Sequence, residues 1–191
     1  IANGTHTGGD EAELRTLVTD AVYDRITVEN HNCESEDLVY LGTTPHGTPV
    51  SINRTAALAD MVICLGAATH HVMAGFGGGR KSILPGICNA ATVNENHSYK
   101  AVSNPHAAAG VLEGNPIHED MLCAAKAVHV QFILNVALDA QKKIIAAWAG
   151  DLEKAHAEGV KFVRSLAQCP VVEGDIVVTS NGGYPLDQNL Y

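Results

Sequence analysis

A glycine-rich segment with two adjacent basic residues is the part of the chain whose residue types are best suited to chemistry. The segment 75–82, Gly-Phe-Gly-Gly-Gly-Arg-Lys-Ser, has four glycines in its first five positions. Glycine allows positive φ angles and close approach of the backbone to a ligand, and successive amides in such a turn can bind an anion such as phosphate. The adjacent lysine can pair with phosphate or form a covalent bond with a ligand. We therefore predict these ligand-binding residues: Gly77, Gly78, Gly79, Arg80 and Lys81.

The ATP-binding P-loop, Gly-x-x-x-x-Gly-Lys-Ser/Thr, is the first known motif to compare, and the segment matches it only in part. Gly75, Lys81 and Ser82 agree with the motif, but Arg80 stands where its last glycine belongs. Pro85 would also remove hydrogen bonds from the helix that a P-loop requires. A nucleotide-phosphate-binding or -hydrolysing α/β domain is therefore kept as the alternative function.

Histidines lie on both sides of this segment: His70 and His71 precede it, His97 follows it, and His6 lies near the first residue. Histidine titrates near neutral pH, so a pair could act as acid and base. Neighbours on an extended strand face opposite ways, so only one of His70 and His71 easily faces a pocket. A zinc site of His71 and His97 lacks a third protein ligand, although one histidine plus a bound cofactor could hold a metal. The other six are interpreted as packing or surface residues: His31, His46, His106, His118, His129 and His156.

Strands and helices alternate along much of the chain, which favours a layered, Rossmann-like α/β domain with a largely parallel sheet and flanking helices. Apolar spacing predicts helices over 11–26, 90–102, 118–128 and 151–166, with Asp10 and Asp151 as caps. Strands are predicted over 26–29, 38–41, 49–52, 61–65, 132–138, 144–147 and 175–179, with a hairpin turn at 44–47. The continuous apolar run 61–65 is typical of a strand buried on both faces in a parallel sheet.

The composition narrows the class of protein. The 191 residues include 12 basic and 21 acidic side chains, a net charge of −9 with histidine neutral, so we expect no nucleic-acid partner. No apolar run is long enough to span a membrane, so no membrane partner is expected either. The five cysteines are odd in number and far apart in sequence, which fits neither a disulfide framework nor a zinc ribbon. This pattern favours a reducing, cytoplasmic location.

Several of these residues belong to motifs that resemble the lactate racemase family, whose members use a nickel-pincer nucleotide. The specific part is the glycine-rich segment with His71 and His97 on its two sides, and the resemblance covers essentially the whole chain. The matching motifs are Gly4-Thr5-His6, 71–81, 82–86 and Asn96-His97, supported by 41–44, 114–120, 132–135 and 182–185. The resemblance implies an α/β cofactor-binding domain over 1–168 without its N-terminal part. It also implies a linker and truncated start of a second domain over 169–191.

The resemblance also implies a cofactor and roles for particular residues. The cofactor is a pyridinium-3,5-bisthiocarboxylic acid mononucleotide, whose two sulfur-containing arms and a ring carbon hold nickel. Lys81 matches the family lysine that binds it covalently, and His97 matches the histidine that ligates nickel. An imidazole beside soft sulfur donors suits square-planar nickel. Tyr191 matches a tyrosine that lines the family's pocket.

The implied activity is racemisation or epimerisation of a 2-hydroxy acid such as lactate, through reversible hydride transfer to the cofactor. His6 and His71 match the two family histidines that act as acid and base on the substrate hydroxyl. A racemase needs such groups on both sides because each enantiomer presents its hydroxyl differently. The implied partners are a small-molecule substrate and cofactor-synthesis proteins, while the oligomeric state is not predicted.

Two further expectations concern the chain itself. We expect it to be a fragment, so that it lacks part of the substrate site, because the family's carboxylate-binding arginine lies upstream of the Gly-Thr-His motif. A non-catalytic binding domain with the same fold is a third hypothesis. The retention of His6, His71, Lys81 and His97 argues against it.

Overall fold

The computed structural model describes residues 1–178, so Tyr191 and the motif 182–185 lie outside the described residues. The elements are α1 (Glu11–Val18), α2 (Asp20–Tyr23), β1 (Leu38–Thr43), β2 (Pro49–Asn53), α3 (Arg54–Ala57), β3 (Val62–Ala67), β4 (His70–His71), β5 (Gly75–Phe76), α4 (Ala90–Asn96), α5 (Tyr99–Val102), α6 (Pro116–Ala127), β6 (Val130–Leu138), β7 (Ile144–Gly150) and α7 (Leu152–Ala167). A 3-10 turn, Gly79–Ser82, lies between β5 and α4.

The largest sheet has three strands in the order β3–β6–β7. β3 pairs with β6 in parallel, whereas β6 pairs with β7 in antiparallel orientation. The antiparallel pair forms because a tight turn joins β6 to β7, in which the Asp139 side chain accepts the amides of Gln141 and Lys143, both at 2.9 Å. The prediction of an α/β fold is confirmed. Within residues 1–178, however, the sheets are mixed in orientation, and a largely parallel, Rossmann-like layering is not confirmed.

Strand β3 is buried on one face only, so the prediction of a strand buried on both faces is wrong. Val62 and Cys64 pack in the core, whereas Ile63 and Leu65 are 54% and 67% exposed. The two exposed side chains line a large cavity on the open face of the strand. Because both faces are apolar, the sequence pattern could not distinguish the core side from the cavity side.

Two predicted helices are interrupted by local backbone geometry. Helix α1 ends before Thr19, whose φ of 73° lies outside the helical region. The helix predicted over 90–102 ends at Asn96, and Ser98 then begins α5 as its N-cap. This break leaves His97 as the C-terminal cap of α4, at a corner between two short helices.

The predicted hairpin and capping residues are confirmed. β1 and β2 form an antiparallel pair, Asp10 caps α1 within a capping box, and Asp151 caps α7. Two predicted strands are wrong in the described part: no strand forms over 26–29, and residues 175–178 are not in a strand. The remaining residue of the second prediction, Thr179, lies outside the described residues.

The core lies between the inner face of the three-stranded sheet, the β1–β2 hairpin and α6. Its fully buried members include Ile52, Ile117, Met121 and Ile133. Burying a side chain of this size stabilises a fold by about 1.5–3 kcal/mol. This core therefore fixes the strands that carry the glycine-rich segment. None of the helices in the described part is long and apolar enough to cross a membrane.

Candidate functional site

The glycine-rich segment lies across β3 and β6, and close packing against these strands explains its glycines. A Cβ on Gly79 would lie 2.8 Å from Cγ2 of Ile133, and a Cβ on Gly66 would lie 3.1 Å from the Gly79 nitrogen. Gly78 has a φ of 109°, which other residues rarely adopt. The Gly79 amide also donates to Oδ1 of Asn135 in β6 at 2.9 Å. The segment is therefore held by the sheet, unlike a flexible surface loop.

Two of the amides predicted to bind an anion already donate to protein acceptors. Gly77 N donates to the carbonyl of Thr69 at 2.7 Å, and Gly79 N donates to Asn135. Anion binding by Gly77, Gly78 and Gly79 therefore stays a prediction. The buried Nδ2 of Asn135 has no hydrogen-bond partner among residues 1–178. It lies 3.0 Å from where a Cβ on Gly78 would stand, directly below the segment.

The segment does not have the geometry of a P-loop. A P-loop places phosphate at the N-terminus of a helix that follows the glycines. Here only the four-residue 3-10 turn Gly79–Ser82 follows them. The side chain of Arg80, at the position of the motif's last glycine, is fully buried. No contact of the described residues favours the alternative of nucleotide-phosphate hydrolysis.

Arg80 is only 1% exposed, and its N–H groups face acceptors inside the protein. Its Nε donates to Nδ1 of His118 at 2.7 Å, and its Nη1 lies 2.7 Å from Nε2 of His156. The other acceptors are the carbonyls of Ala74 (3.1 Å), Phe76 (2.9 Å) and Gly77 (3.3 Å). The guanidinium therefore holds the glycine-rich segment from its inner side. All of these contacts lie within the protein, so direct cofactor binding by Arg80 stays a prediction.

His118 and His156 are uncharged imidazoles in contact with Arg80. A guanidinium can only donate, so Nδ1 of His118 carries a lone pair. Nε2 of His156 lies 2.7 Å from Nη1 of Arg80 and 2.9 Å from the Gly77 carbonyl oxygen, so its tautomer decides whether it accepts from Arg80 or donates to Gly77. Burial first, and the Arg80 charge second, lower the pKa of His118 to about 3 and of His156 to about 4. Burial lowers the pKa of Arg80 itself to about 10, without an opposing carboxylate. Sequence reasoning treated both histidines as packing residues, because they lie 38 and 76 positions from Arg80.

A cavity of about 920 Å³ lies on the open face of β3. Its wall includes His71, Lys81, Ser82 and the backbone of Gly77 and Gly78. Small-molecule and cofactor sites commonly have volumes of roughly 300–1,000 Å³. The cavity is thus large enough for a mononucleotide, and its wall brings together four of the predicted site residues, namely His71, Gly77, Gly78 and Lys81.

Lys81 presents an amine of reduced basicity to this cavity. Burial, followed by the charge of Arg80, lowers the pKa of Lys81 to about 8. Its backbone is fixed on both sides, because Lys81 N donates to the Gly78 carbonyl at 2.9 Å and the Lys81 carbonyl accepts from Gly86 N at 3.0 Å. A neutral amine is a nucleophile, whereas an ammonium is not. Lys81 is therefore suited to covalent attachment of a ligand.

His71 is held by the backbone that follows it. Its Nδ1 accepts the amide of Ala74 at 3.1 Å, so the neutral ring carries its proton on Nε2. Burial lowers the pKa of His71 to about 4, with smaller contributions from the charges of Lys81, His97 and Arg80. His71 is therefore uncharged at neutral pH.

His97 has the hydrogen bonding of a metal-ligating histidine. Its Nδ1 lies 3.1 Å from the carbonyl oxygen of Val93, which can only accept, so Nδ1 donates and Nε2 keeps its lone pair. Metal-bound histidines commonly donate their other ring N–H to a carbonyl in this way. Burial, opposed by this hydrogen bond and assisted by the Lys81 charge, lowers the pKa of His97 and favours the neutral, ligating form.

The other predicted site residues lie differently. His6 is exposed and is not part of the cavity wall in the described structure. Its segment is anchored nearby, because Gly4 N donates to the carbonyl of Gly86 at 2.9 Å. His70 is exposed, with its ring 4.7 Å from that of Phe76. The structure thus brings together His71, Lys81 and His97 but not His6, and Tyr191 lies outside the described residues.

No group of three or more histidine, cysteine, aspartate or glutamate side chains among residues 1–178 could hold a metal ion. A metal at His97 would therefore need donors from a bound molecule or from other parts of the protein.

These contacts describe an α/β protein with a cavity whose wall carries His71 and a lysine of lowered pKa, and with a histidine, His97, whose hydrogen bonding leaves Nε2 available to a metal. The chain belongs to the lactate racemase family. A family model described as the lactate racemase N-terminal domain matches residues 1–110, and one described as the lactate racemase C-terminal domain matches residues 169–191.

Two curated relatives support this assignment. The chain is 45% identical to the lactate racemase of Thermoanaerobacterium thermosaccharolyticum, over 192 residues that cover 100% of this chain and 45% of that protein. It is 41% identical to the lactate racemase of Lactiplantibacillus plantarum, with the same coverage of 100% and 45%. The chain therefore spans less than half the length of these relatives.

Solved structures agree with the fold. The lactate racemase apoprotein from Thermoanaerobacterium thermosaccharolyticum superimposes with a TM-score of 0.93 at 44% identity, covering 98% of this chain and 45% of that one. A Thermotoga maritima protein gives a TM-score of 0.71 at 21% identity, covering 86% of this chain and 44% of that one. The second likeness concerns the fold alone.

Proposed function

We propose that the full-length protein containing this chain is an isomerase that racemises or epimerises lactate or a related 2-hydroxy acid, with a nickel-pincer nucleotide as cofactor. The observation that carries the proposal is the cavity wall that holds His71 and Lys81, with His97 close enough to influence the pKa of His71 and to have its own pKa lowered by Lys81. Membership of the lactate racemase family supports the same activity. In this proposal residues 1–168 form the cofactor-binding domain, and 169–191 lead into a second domain.

The side chains fit the proposed cofactor. Lys81 offers an amine that burial and Arg80 keep partly neutral, as covalent attachment requires. His97 offers the lone pair of Nε2, with the ring orientation fixed by Val93. When bound, the cofactor supplies the hydride acceptor and donor for the substrate carbon. The protein contributes the position of these groups and the electrostatics around them.

In this proposal His71 is one of the two acid–base groups, and its hydrogen bond with Ala74 decides which ring nitrogen can accept a proton. A general base needs a lone pair on the nitrogen that faces the substrate. In the present arrangement that nitrogen, Nε2, carries the proton, because Nδ1 accepts the amide of Ala74. For His71 to act as the base, its Nδ1 must give up the Ala74 amide and take the proton from Nε2. His71 would then accept the substrate hydroxyl proton and return it in the reverse direction.

The second acid–base group in the proposal is His6. Its exposed ring and the anchoring of its segment at Gly86 leave it free to meet a substrate from a side other than that of His71. Reaction at both faces of one carbon needs groups from two directions, and His6 and His71 come from distant parts of the sequence. Tyr191 is proposed as a further pocket residue, and backbone amides of Gly77, Gly78 and Gly79 as contacts to the nucleotide.

The proposal is tested on the full-length protein produced together with its cofactor-making enzymes. About one nickel per chain and interconversion of L- and D-lactate are expected. Lys81→Arg keeps the positive charge but cannot form the covalent bond proposed for the Lys81 amine. This variant should therefore lose both the nickel and the interconversion of the lactate enantiomers. Lys161→Arg is the matched control, because Lys161 is exposed on α7 and pairs with Glu158. Nickel and racemisation that persist unchanged in Lys81→Arg would contradict the proposal.

A further inference from the structure

We propose that Arg80, His118 and His156 form a positioning cluster that prepares Lys81 for covalent attachment. Two uncharged imidazoles hold a guanidinium whose charge no carboxylate offsets, and that charge keeps the Lys81 amine available as a nucleophile. The inference rests on the covalent role proposed for Lys81. It gives a role in positioning to His118 on α6 and His156 on α7, which were interpreted from the sequence as packing or surface residues.

The first step of the argument is geometric. Arg80 and Lys81 are consecutive residues of the 3-10 turn, and the backbone of Lys81 is fixed by Gly78 and Gly86. The guanidinium of Arg80 is fixed as well, because His118 and three carbonyls accept from it and His156 lies 2.7 Å from its Nη1. The Arg80 charge is therefore held next to the anchored backbone of Lys81, whose side chain lines the cavity.

The second step concerns the choice of acceptors. A buried arginine is usually paired with a carboxylate, but Arg80 forms no ion pair within residues 1–178, and no carboxylate raises its pKa. An Asp or Glu in place of either histidine would offset the guanidinium charge. Imidazole accepts the same hydrogen bond without charge, so the positive field remains, and burial limits its screening by salt.

The third step identifies what receives this field. The pKa of Lys81 is lowered first by burial and then by Arg80. The other ionisable groups that interact with Lys81 are His71 on β4 and His97 at the end of α4, and the pKa of each is also lowered. Both are therefore neutral near pH 7, which leaves Arg80 as the charge that acts on the amine.

A cluster that only holds the segment in place predicts a different result from a cluster whose positive charge also acts on Lys81. His118→Gln keeps a neutral acceptor for Arg80, whereas His118→Glu provides an acceptor with an opposing charge. If the cluster only holds the segment, the Glu variant should serve at least as well as the Gln variant, because a charged hydrogen bond is stronger. If the cluster supplies a field, only the Glu variant should make Lys81 less reactive.

The experiment measures Lys81 reactivity in the full-length protein purified without cofactor-making enzymes. The reagent is the N-hydroxysuccinimide ester of acetic acid, applied from about pH 6 to about pH 10, and acetylated peptides are quantified by mass spectrometry. The amine lone pair forms the N–C bond, N-hydroxysuccinimide leaves, and the amine proton passes to water. Exposed Lys143 serves as the internal reference for reagent and pH.

We expect the acetylation rate of Lys81 in the wild-type protein to rise with pH, with a midpoint at about 8. The rate in His118→Gln should stay within about twofold of the wild-type rate at each pH. His118→Glu should react roughly three- to tenfold more slowly near neutral pH, because each unit of increase in pKa lowers the neutral fraction about tenfold. Equal rates in folded Gln and Glu variants overturn the proposal. A wild-type midpoint near the ordinary lysine value of about 10.4 overturns it without any variant.

Two controls keep the interpretation clear. If His118→Glu fails to fold by circular dichroism, the pair His156→Gln and His156→Glu gives the same comparison at the other histidine. The reagent takes the place of the cofactor, so this result does not depend on the proposed function. Absence of a cofactor adduct at a reactive Lys81 would refute the proposed function while leaving the cluster's effect on the amine established.

Discussion

Replacing Gly79 by alanine tests whether the sheet holds the glycine-rich segment. The new Cβ would lie 2.8 Å from Cγ2 and 3.0 Å from Cβ of Ile133, distances that require a shift. Ile133 is fully buried in β6 and cannot turn away, so the segment must move and strain its bond to Asn135. Overpacking of this kind costs about 1–3 kcal/mol. The unfolding transition of the domain that contains these residues should therefore fall by about 2 to about 12 °C in melting temperature.

Urea denaturation and thermal melting of the full-length protein measure this effect. Gly174→Ala is the matched control, because Gly174 is exposed and its added Cβ would only reach ordinary contact, 3.5 Å from the Ile176 carbonyl oxygen. The free energy of unfolding of that control should stay within about 0.5 kcal/mol of the wild-type value. A Gly79→Ala protein as stable as the control would refute the close packing of the segment on β6.

Three further predictions concern the cluster, the metal ligand and the helix that supports the segment. The lowered pKa values of His118 and His156 mean that the unfolded chain binds more protons below about pH 6.5. Their contribution to the free energy of unfolding is complete above that pH and is lost as the pH falls toward about 4 for His156 and about 3 for His118. Between about pH 7 and about pH 5 the change at His156 alone should lower the free energy of unfolding by about 2 kcal/mol, which urea midpoints at the two pH values would show. His97→Ala should remove nickel but leave the adduct on Lys81, as metal analysis and peptide mass would show. Asn115→Ala should lower the free energy of unfolding, measured in urea, by about 1–3 kcal/mol. The reason is that Asn115 caps α6 and donates to the Met73 carbonyl. A decrease of less than about 0.5 kcal/mol would contradict this role.

Local features of the fold could be predicted from the sequence where neighbouring residues decide them. Asp10 and Asp151 cap their helices through amides only two or three positions away, so spacing alone identifies them. The break at Thr19 depends on a backbone angle of 73° that no local pattern indicates. The exposure of Ile63 and Leu65 depends on which side of β3 receives the core.

The candidate site shows the same division between local and distant information. Lys81 and His97 stand out because of motifs, and the structure gives both a neutral-favouring environment. The inward position of Arg80 could not be predicted, since its histidine partners lie 38 and 76 residues away. Tertiary contacts place the Arg80 side chain inside the protein, where it holds the glycine-rich segment through the carbonyls of Ala74, Phe76 and Gly77.

The mass of the peptide containing Lys81 tests the central claim most directly, with digestion by a glutamate-specific protease because trypsin would cut after both Arg80 and Lys81. The full-length protein is purified from cells that also make its cofactor-synthesis enzymes, and its peptides are compared with those of the same protein made without them. Covalent attachment predicts an added mass on Lys81 in the first sample only, at about one adduct per chain. An unmodified Lys81 in protein that carries a full complement of nickel would contradict the account.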